Sequence, residues 1–450
     1  MSTPLTRRRF LHQTTGAATA LAFGRLLSWP GLLSWPGLAA AAETDLVPDP
    51  ARILDLPPGY GYRVLARAGG MMADGLVVPG DPDAMACFPL DDENVTLVCN
   101  HELHAGEKHK SAFQNGNRYR GAVYDPDMPG GTSTMVYNLR RRELVDHRLS
   151  LAGTVNNCAG GLTPWGSWLS CEETFHAKGE DGAQDDHGYV FEVPADPRRT
   201  SDALPLRDMG RFVHEACAVD PATGIVYLTE DRKDGLFYRF LPHRPGTLAA
   251  GGRLQALAVP DLKRTDNRGR DRMPQGQNYA VHWLDLEGVD SGVNDLRLRA
   301  ARQGAITFRR GEGLWWSPEG LYFTATTGGP DGYGQVFRYT PSPHEGQANE
   351  TDAPGRLSLH FQSPAPEVMC HGDNLAVSPT GDLLICEDRA DGGNNRIRRL
   401  GANGQVTAFA RNATKTNGEF AGICFAPDGQ TLFVNLQNEG LTVAIFKTAA

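Results

Sequence analysis

The stretch Leu162-Thr163-Pro164-Trp165-Gly166-Ser167-Trp168-Leu169-Ser170-Cys171-Glu172-Glu173-Thr174 reads as a β-hairpin, an apolar run turning at Pro164–Gly166 into a second apolar run that ends in acid. Pro and Gly in a short turn between aromatic or aliphatic runs are a hairpin signal. The pattern recurs at Phe88 to Glu102, Cys217 to Asp231, Trp315 to Thr327, Leu375 to Asp388 and Cys424 to Asn438. Counting from Asp91, Pro164, Pro221, Pro318, Pro379 and Pro427, the gaps are 73, 57, 97, 61 and 48 residues. A repeat of about 40–50 residues plus loops is the spacing of propeller blades. Almost nothing between the hairpins keeps a helical period. The expectation is an all-β chain folded as a six-bladed β-propeller, in which radial repetition leaves only short strand edges. A pair of β-sandwiches is the weaker alternative, because six hairpins in similar phase would then be coincidence. The longest gap holds the charged stretch Asp261 to Arg272, expected to be an exposed excursion.

The 450 residues carry 52 Gly and 30 Pro, which suits a turn-rich folded chain. The first 42 residues hold four arginines and no acid. Arg7-Arg8-Arg9-Phe10-Leu11, an apolar run from Ala17 to Leu27 and Ala39-Ala40-Ala41-Ala42 have the layout of a twin-arginine export signal. Pro30 and Pro36 interrupt the apolar run before it reaches the roughly 20 residues of a membrane span. The domain reading is a signal over residues 1–42 and one propeller over 43–450, exported through the twin-arginine translocation machinery to the periplasm or medium without stable membrane insertion. From Glu43 onward 40 basic residues face 53 acidic ones, a formal charge of −13, which disfavours nucleic acid as a partner. The eight cysteines sit mostly in short apolar runs, so buried free thiols are expected.

The repeat also locates chemistry. Six residues before the turn prolines stand Cys158, Glu215, Glu312 and Asp373, with Met85 and Ala421 at the remaining two places and Glu419 just before the latter. Eight or nine residues after the markers stand Asn100, Glu172, Glu230, Thr326, Glu387 and Asn435. Equivalent positions of a propeller lie on a ring around its axis, so these residues are expected to meet at one mouth of the channel. Several carboxylates meeting there repel one another, and bound multivalent cations relieve this. Oxygen donors suit Ca2+, and a thiolate among them suits a transition metal such as iron or zinc. The candidate metal ligands are therefore Cys158, Glu172, Glu215, Glu230, Glu312, Asp373 and Glu387.

Asn157-Cys158-Ala159-Gly160-Gly161-Leu162-Thr163-Pro164-Trp165-Gly166-Ser167-Trp168-Leu169-Ser170-Cys171-Glu172-Glu173, with Asn100-His101-Glu102, His214-Glu215, Asp373-Asn374-Leu375 and the segment from Gly422 to Gln437, resembles the PhoX-type alkaline phosphatase family. The resemblance runs from about residue 50 to the C-terminus. It implies a propeller that hydrolyses phosphomonoesters, small-molecule substrates, with Fe3+ and Ca2+. Carried over, it implies that Cys158, Glu215 and Glu312 bind an iron pair and that Glu172, Asp373 and Glu387 serve the iron–calcium cluster. It also implies that Arg310 contacts phosphate, where a guanidinium forms a bidentate clamp. Gly311 stands where the family pattern has proline, and Gln437-Asn438-Glu439-Gly440 departs from its Gln-His-Pro-Gly. The chain is read as a monomer. Two other classes fit the oxygen ring without needing the thiolate: a calcium-binding propeller with another hydrolase or lactonase activity, and a non-catalytic binding propeller.

Overall fold

The computed structural model describes residues 45–260, 262–269, 272–389 and 391–448, so the export signal expected over 1–42 lies outside the described residues. Two strands open the chain, β1 (Leu54–Asp55) and β2 (Tyr60–Arg67). Blade 1 follows as β3 (Pro82–Pro89), β4 (Asn94–His101), β5 (Gly130–Asn138) and β6 (Glu143–Thr154). Blade 2 has three strands, β7 (Asn157–Leu162), β8 (Ser167–Glu172) and β9 (Val190–Pro194). Blade 3 is β10 (His214–Val219), β11 (Val226–Glu230), β12 (Phe237–Pro242) and β13 (Gly252–Ala258). After β14 (Asn278–Ala280), β15 (His282–Asp285) and the helix α1 (Leu296–Gln303), blade 4 is β16 (Gly311–Ser317), β17 (Gly320–Ala325), β18 (Gln335–Thr340) and β19 (Arg356–Gln362). Blade 5 is β20 (Gly372–Val377), β21 (Leu383–Glu387), β22 (Arg396–Leu400) and β23 (Val406–Asn412), and blade 6 is β24 (Phe420–Phe425), β25 (Thr431–Leu436) and β26 (Leu441–Lys447). The protein is an all-β, six-bladed propeller.

The six hairpins read from the sequence are the two innermost strands of the six blades. Their turns close by the chemistry expected of them: Asp91 Oδ1 accepts from the amides of Glu93 and Asn94, and Asp428 Oδ1 from those of Gln430 and Thr431. Gly166 and Gly381 occupy φ of 82° and 87°, which a β-carbon disfavours. The innermost strands β3, β7, β10, β16, β20 and β24 pack side by side in a closed ring. Between them runs an apolar cavity of about 160 Å³, lined by residues such as Ala84, Ala159, Ala216, Leu314, Leu375 and Ile423.

The chain closes its circle from the N-terminal end. β1 adds to β23 of blade 5, with Leu54 opposite Asn412, and β2 adds to β26 of blade 6, with Tyr62 opposite Ile445. β15 and β14 extend blades 3 and 4 in the same way. The charged stretch 261–272 is not wholly an exposed excursion: Thr265, Asp266 and Asn267 are buried, and Asn267 Nδ2 donates to Met273 O and Gln362 Oε1. Its polar residues were the reason to expect exposure, and hydrogen bonding is what lets them be buried. All eight cysteines are free, and seven of them, Cys87 excepted, are buried. Among the described residues no helix is long and apolar enough to cross a membrane.

Because β1 and β2 cover the outer edges of two blades, deleting residues 45–67 is expected to leave β23 and β26 as open edges prone to pairing between chains. Size-exclusion chromatography should then show soluble aggregate or no recoverable protein. A truncated chain eluting at its own mass with an unchanged melting temperature would disprove this closure.

Candidate metal centre

Each innermost strand is interrupted at the same point. The register with its neighbour breaks after Pro82, Asn157, His214, Gly311, Gly372 and Ala421, so that two residues there face one across the ladder. A β-bulge of this kind bends the strand and re-aims its side chains. The paired bulge residues are Asp83-Ala84, Cys158-Ala159, Glu215-Ala216, Glu312-Gly313, Asp373-Asn374 and Gly422-Ile423. The second member of every pair lines the apolar channel. The first member is, in five blades of six, a metal-ligand type.

These donors gather into four overlapping groups, Asp83/Glu102/Cys158, Cys158/Glu173/Glu215, Glu215/Glu312/Asp373 and Asp373/Asp388/Glu419, with ligand atoms within 4.8 Å of one another in each. Shared members link the groups into one continuous string of eight carboxylates and a thiol. Burial and the neighbouring carboxylates raise Asp83, Glu173, Glu215, Glu312 and Glu419 well above the usual carboxylate range. Burial pushes Glu102 and Asp373 up to about 7, with the Asp388 carboxylate adding to the rise in both. The Cys158 thiol is likewise raised, by burial and by Asp83 and Glu215. Both oxygens of Glu215, a fully buried residue, have no hydrogen-bond partner. A buried carboxylate without partners is costly. A multivalent cation fits this donor set, since it supplies the missing partner and reverses the repulsion.

The string meets one guanidinium. Arg310 donates through Nε and Nη2 to both oxygens of Asp231 at 2.9–3.1 Å, and its Nη2 lies 2.9 Å from Glu312 Oε1. Burial alone would lower its pKa; Glu312 and Asp231 reverse that and raise it. The side chain stays partly open, at 31% exposure.

Of the residues expected from the sequence, the structure brings Cys158, Glu215, Glu312, Asp373 and Arg310 together. It does not bring Glu172, Glu230 and Glu387 to the same place. Glu172 accepts from the amides of Val155, Gly188 and Tyr189 and lies 2.6 Å from His187 Nδ1. Glu230 accepts from Leu236 N and Tyr238 Oη, and Glu387 from Cys370 N and Arg398 Nε. The reason is strand alternation: successive side chains point to opposite faces. Glu172, Glu230 and Glu387 end strands β8, β11 and β21 facing their own blades, and the next residues, Glu173, Asp231 and Asp388, face the axis. Those neighbours, with Asp83, Glu102 and Glu419, were absent from the expected set. A shift of one position in the second spacing series would have found three of them.

The sequence matches the family model for alkaline phosphatase PhoX over residues 42–440. The chain belongs to that family. PhoX enzymes are metal-dependent phosphatases, and the acid-and-thiol string is where this member can hold metal. The signature around Cys158 thus spans both the bulge donor and, at Glu173, the neighbouring axial acid. No match was found among curated proteins. Solved structures similar to the chain include a gluconolactonase from Xanthomonas campestris, 14% identical, covering 86% of this chain and 95% of that one at a TM-score of 0.37. They also include the Cps50 (Swd1) propeller domain of Myceliophteria thermophila, 12% identical, covering 83% and 98% at 0.42. A protein of unknown function from Dyadobacter fermentans is 11% identical, covering 87% and 100% at 0.43.

The division of labour between neighbouring acids can be measured. Glu172→Ala orphans three buried backbone amides and His187, so it is expected to cost about 3 kcal/mol or more. The same variant should keep the metal stoichiometry of the wild type in whatever protein remains folded. Chemical denaturation with elemental analysis of the folded fraction checks both. A stable variant that has lost metal would return Glu172 to the ligand set.

Proposed function

We propose that this PhoX-family member is an exported phosphomonoesterase working at an Fe3+ and Ca2+ cluster on the propeller axis. The observation that supports it best is Cys158, a thiol standing at the bulge position that holds carboxylates in four other blades. Purely oxygen-rich rings suit Ca2+ alone, whereas a thiolate among carboxylates suits iron. Cys158, Glu215 and Glu312 would hold iron, and Asp373, with Asp83, Glu102, Glu173, Asp388 and Glu419, would complete the cluster. Bound there, the ions supply Lewis acidity toward phosphoryl oxygens and charge that offsets the transition state.

The chain's own residues do the rest. Asp231 fixes the Nε–Nη2 edge of the Arg310 guanidinium and thereby its orientation, which leaves Nη1 to donate to a phosphoryl oxygen. Arg310, partly exposed beside the acid-and-thiol string, would meet a phosphoryl group from the open side. We take residues 1–42 as a twin-arginine export signal and 43–450 as a single propeller, working as a monomer in the periplasm or medium.

Cys158→Ala is expected to lose bound iron while the propeller survives. Arg310→Ala is expected to keep iron and calcium and to lower kcat/KM for an aryl phosphomonoester by about 100- to 1,000-fold. Elemental analysis and steady-state kinetics on the same preparations check both. Unchanged iron in the first variant, or lost iron in the second, would refute the assigned roles. Chelation of the wild type should abolish turnover and also lower the melting temperature, since it restores repulsion among the axial acids.

A further inference from the structure

Blade 2 has three strands where the other sheets have four or five. In place of a fourth, residues 195–200 cross toward blade 1, tied there by Ser201 N donating to Ser150 O at 2.8 Å. This leaves a cleft of about 470 Å³ on the side of the propeller, away from the axial acids. Its floor is the face of β5 and β6 that carries Thr134 and Arg148, and its rim carries Arg118, Arg120 and Arg199, with Tyr119 alongside.

Two features mark the cleft as built for a ligand. The first is uncompensated charge. Arg118, Arg120 and Arg199 make no salt bridge among the described residues, Arg199 feeling Asp196 only at longer range, in a protein whose formal charge is −9. The acids of the cleft are already engaged: Asp74 accepts from Leu76 N and Leu149 N, and Asp146 from His147 N and Arg148 Nε. Arg198 is taken by Asp196. The second feature is an orphaned hydroxyl. Thr134 is 4% exposed, and its Oγ1 has no hydrogen-bond partner. Buried hydroxyls normally find partners. Guanidinium forks over hydroxyl donors are the recognition chemistry of tetrahedral oxyanions.

We propose that this cleft between blades 1 and 2 binds a small ligand bearing several phosphate or sulfate ester groups, at a site separate from the axial metal centre. The three arginines outside any salt bridge take the charged groups, and Thr134 Oγ1 donates to an oxygen at the floor. This proposal does not rest on the phosphatase reading, and its test reads binding rather than hydrolysis. Sucrose octasulfate is the probe, because it is not a phosphomonoester. Calorimetric titration of metal-loaded wild type at low ionic strength is expected to show one site, with affinity falling as salt rises. The triple variant Arg118→Ala, Arg120→Ala, Arg199→Ala should bind at least tenfold more weakly, with melting temperature and aryl phosphate turnover unchanged. Thr134→Val should bind at least threefold more weakly and melt no lower than wild type, because it removes a hydroxyl that serves nothing in the fold. Absence of binding to wild type, or equal binding to the triple variant, overturns the proposal. A lowered melting temperature in Thr134→Val would overturn it too, by showing that the hydroxyl serves the protein itself.

Discussion

Like-charge repulsion on the axis is the constraint around which this propeller is arranged. Eight carboxylates and a thiol converge in overlapping groups, and the guanidinium of Arg310 is already divided between Asp231 and Glu312. Packing six inner strands in a ring forces their ends together, so whatever side chains those ends carry must share one small space. Apolar side chains there would simply extend the channel. Acidic ones make the axial end unstable as a set of free anions and stable as a cage, so the folding of that end and the binding of cations are thermodynamically linked.

The cage depends on backbone that is itself unusual. Asp81, Asn156, Arg310 and His371 occupy positive φ, at 41°, 50°, 57° and 52°, and each stands two residues before a bulge donor: Asp83, Cys158, Glu312 and Asp373. A non-glycine residue in this region costs of order 1–3 kcal/mol and persists only where the surroundings enforce it. Four repetitions at one structural position argue for a shared function: the left-handed residue brings the chain over the rim, and the bulge then turns the next donor inward. In blade 6 the order differs. Gly422 occupies the bulge position at φ 64°, where a β-carbon would come within 2.3 Å of Asp83 O, and the acid is supplied from Glu419 instead.

This geometry explains what could be read from the sequence. The hairpins were legible because each combines two apolar runs with a Pro-, Asp- or Gly-containing turn, all local features. Cys158, Glu215, Glu312 and Asp373 were legible because in their blades the bulge stands at a fixed distance from the turn. Asp83 escaped because the turn of blade 1 has no proline to set the phase, and the count fell on Met85. Glu173, Asp231 and Asp388 escaped for a different reason. Two adjacent acids at a strand end are indistinguishable by composition, and only the alternation of the strand decides which one faces the axis. The left-handed conformation of Arg310 and its hold on Asp231, 79 residues away, have no local signature at all.

The signature Asn157-Cys158-Ala159-Gly160-Gly161 is therefore only partly about metal. Asn157 ties the start of the strand down, its Oδ1 accepting from Thr154 Oγ1 and its Nδ2 donating to Ser170 Oγ. A β-carbon on Gly160 would lie 2.0 Å from Leu169 O, and one on Gly161 would lie 2.0 Å from Cys217 O of the next blade. Both contacts are with backbone, which cannot swing aside as a side chain can. Gly160 lets β7 lie close against β8 of its own blade, and Gly161 lets blade 2 close on blade 3, which keeps Cys158 within reach of the Glu215 carboxylate. Donor and spacer in this motif form one device: the thiol has a place in the ring of acids only because the residues after it are small enough to let the ring close.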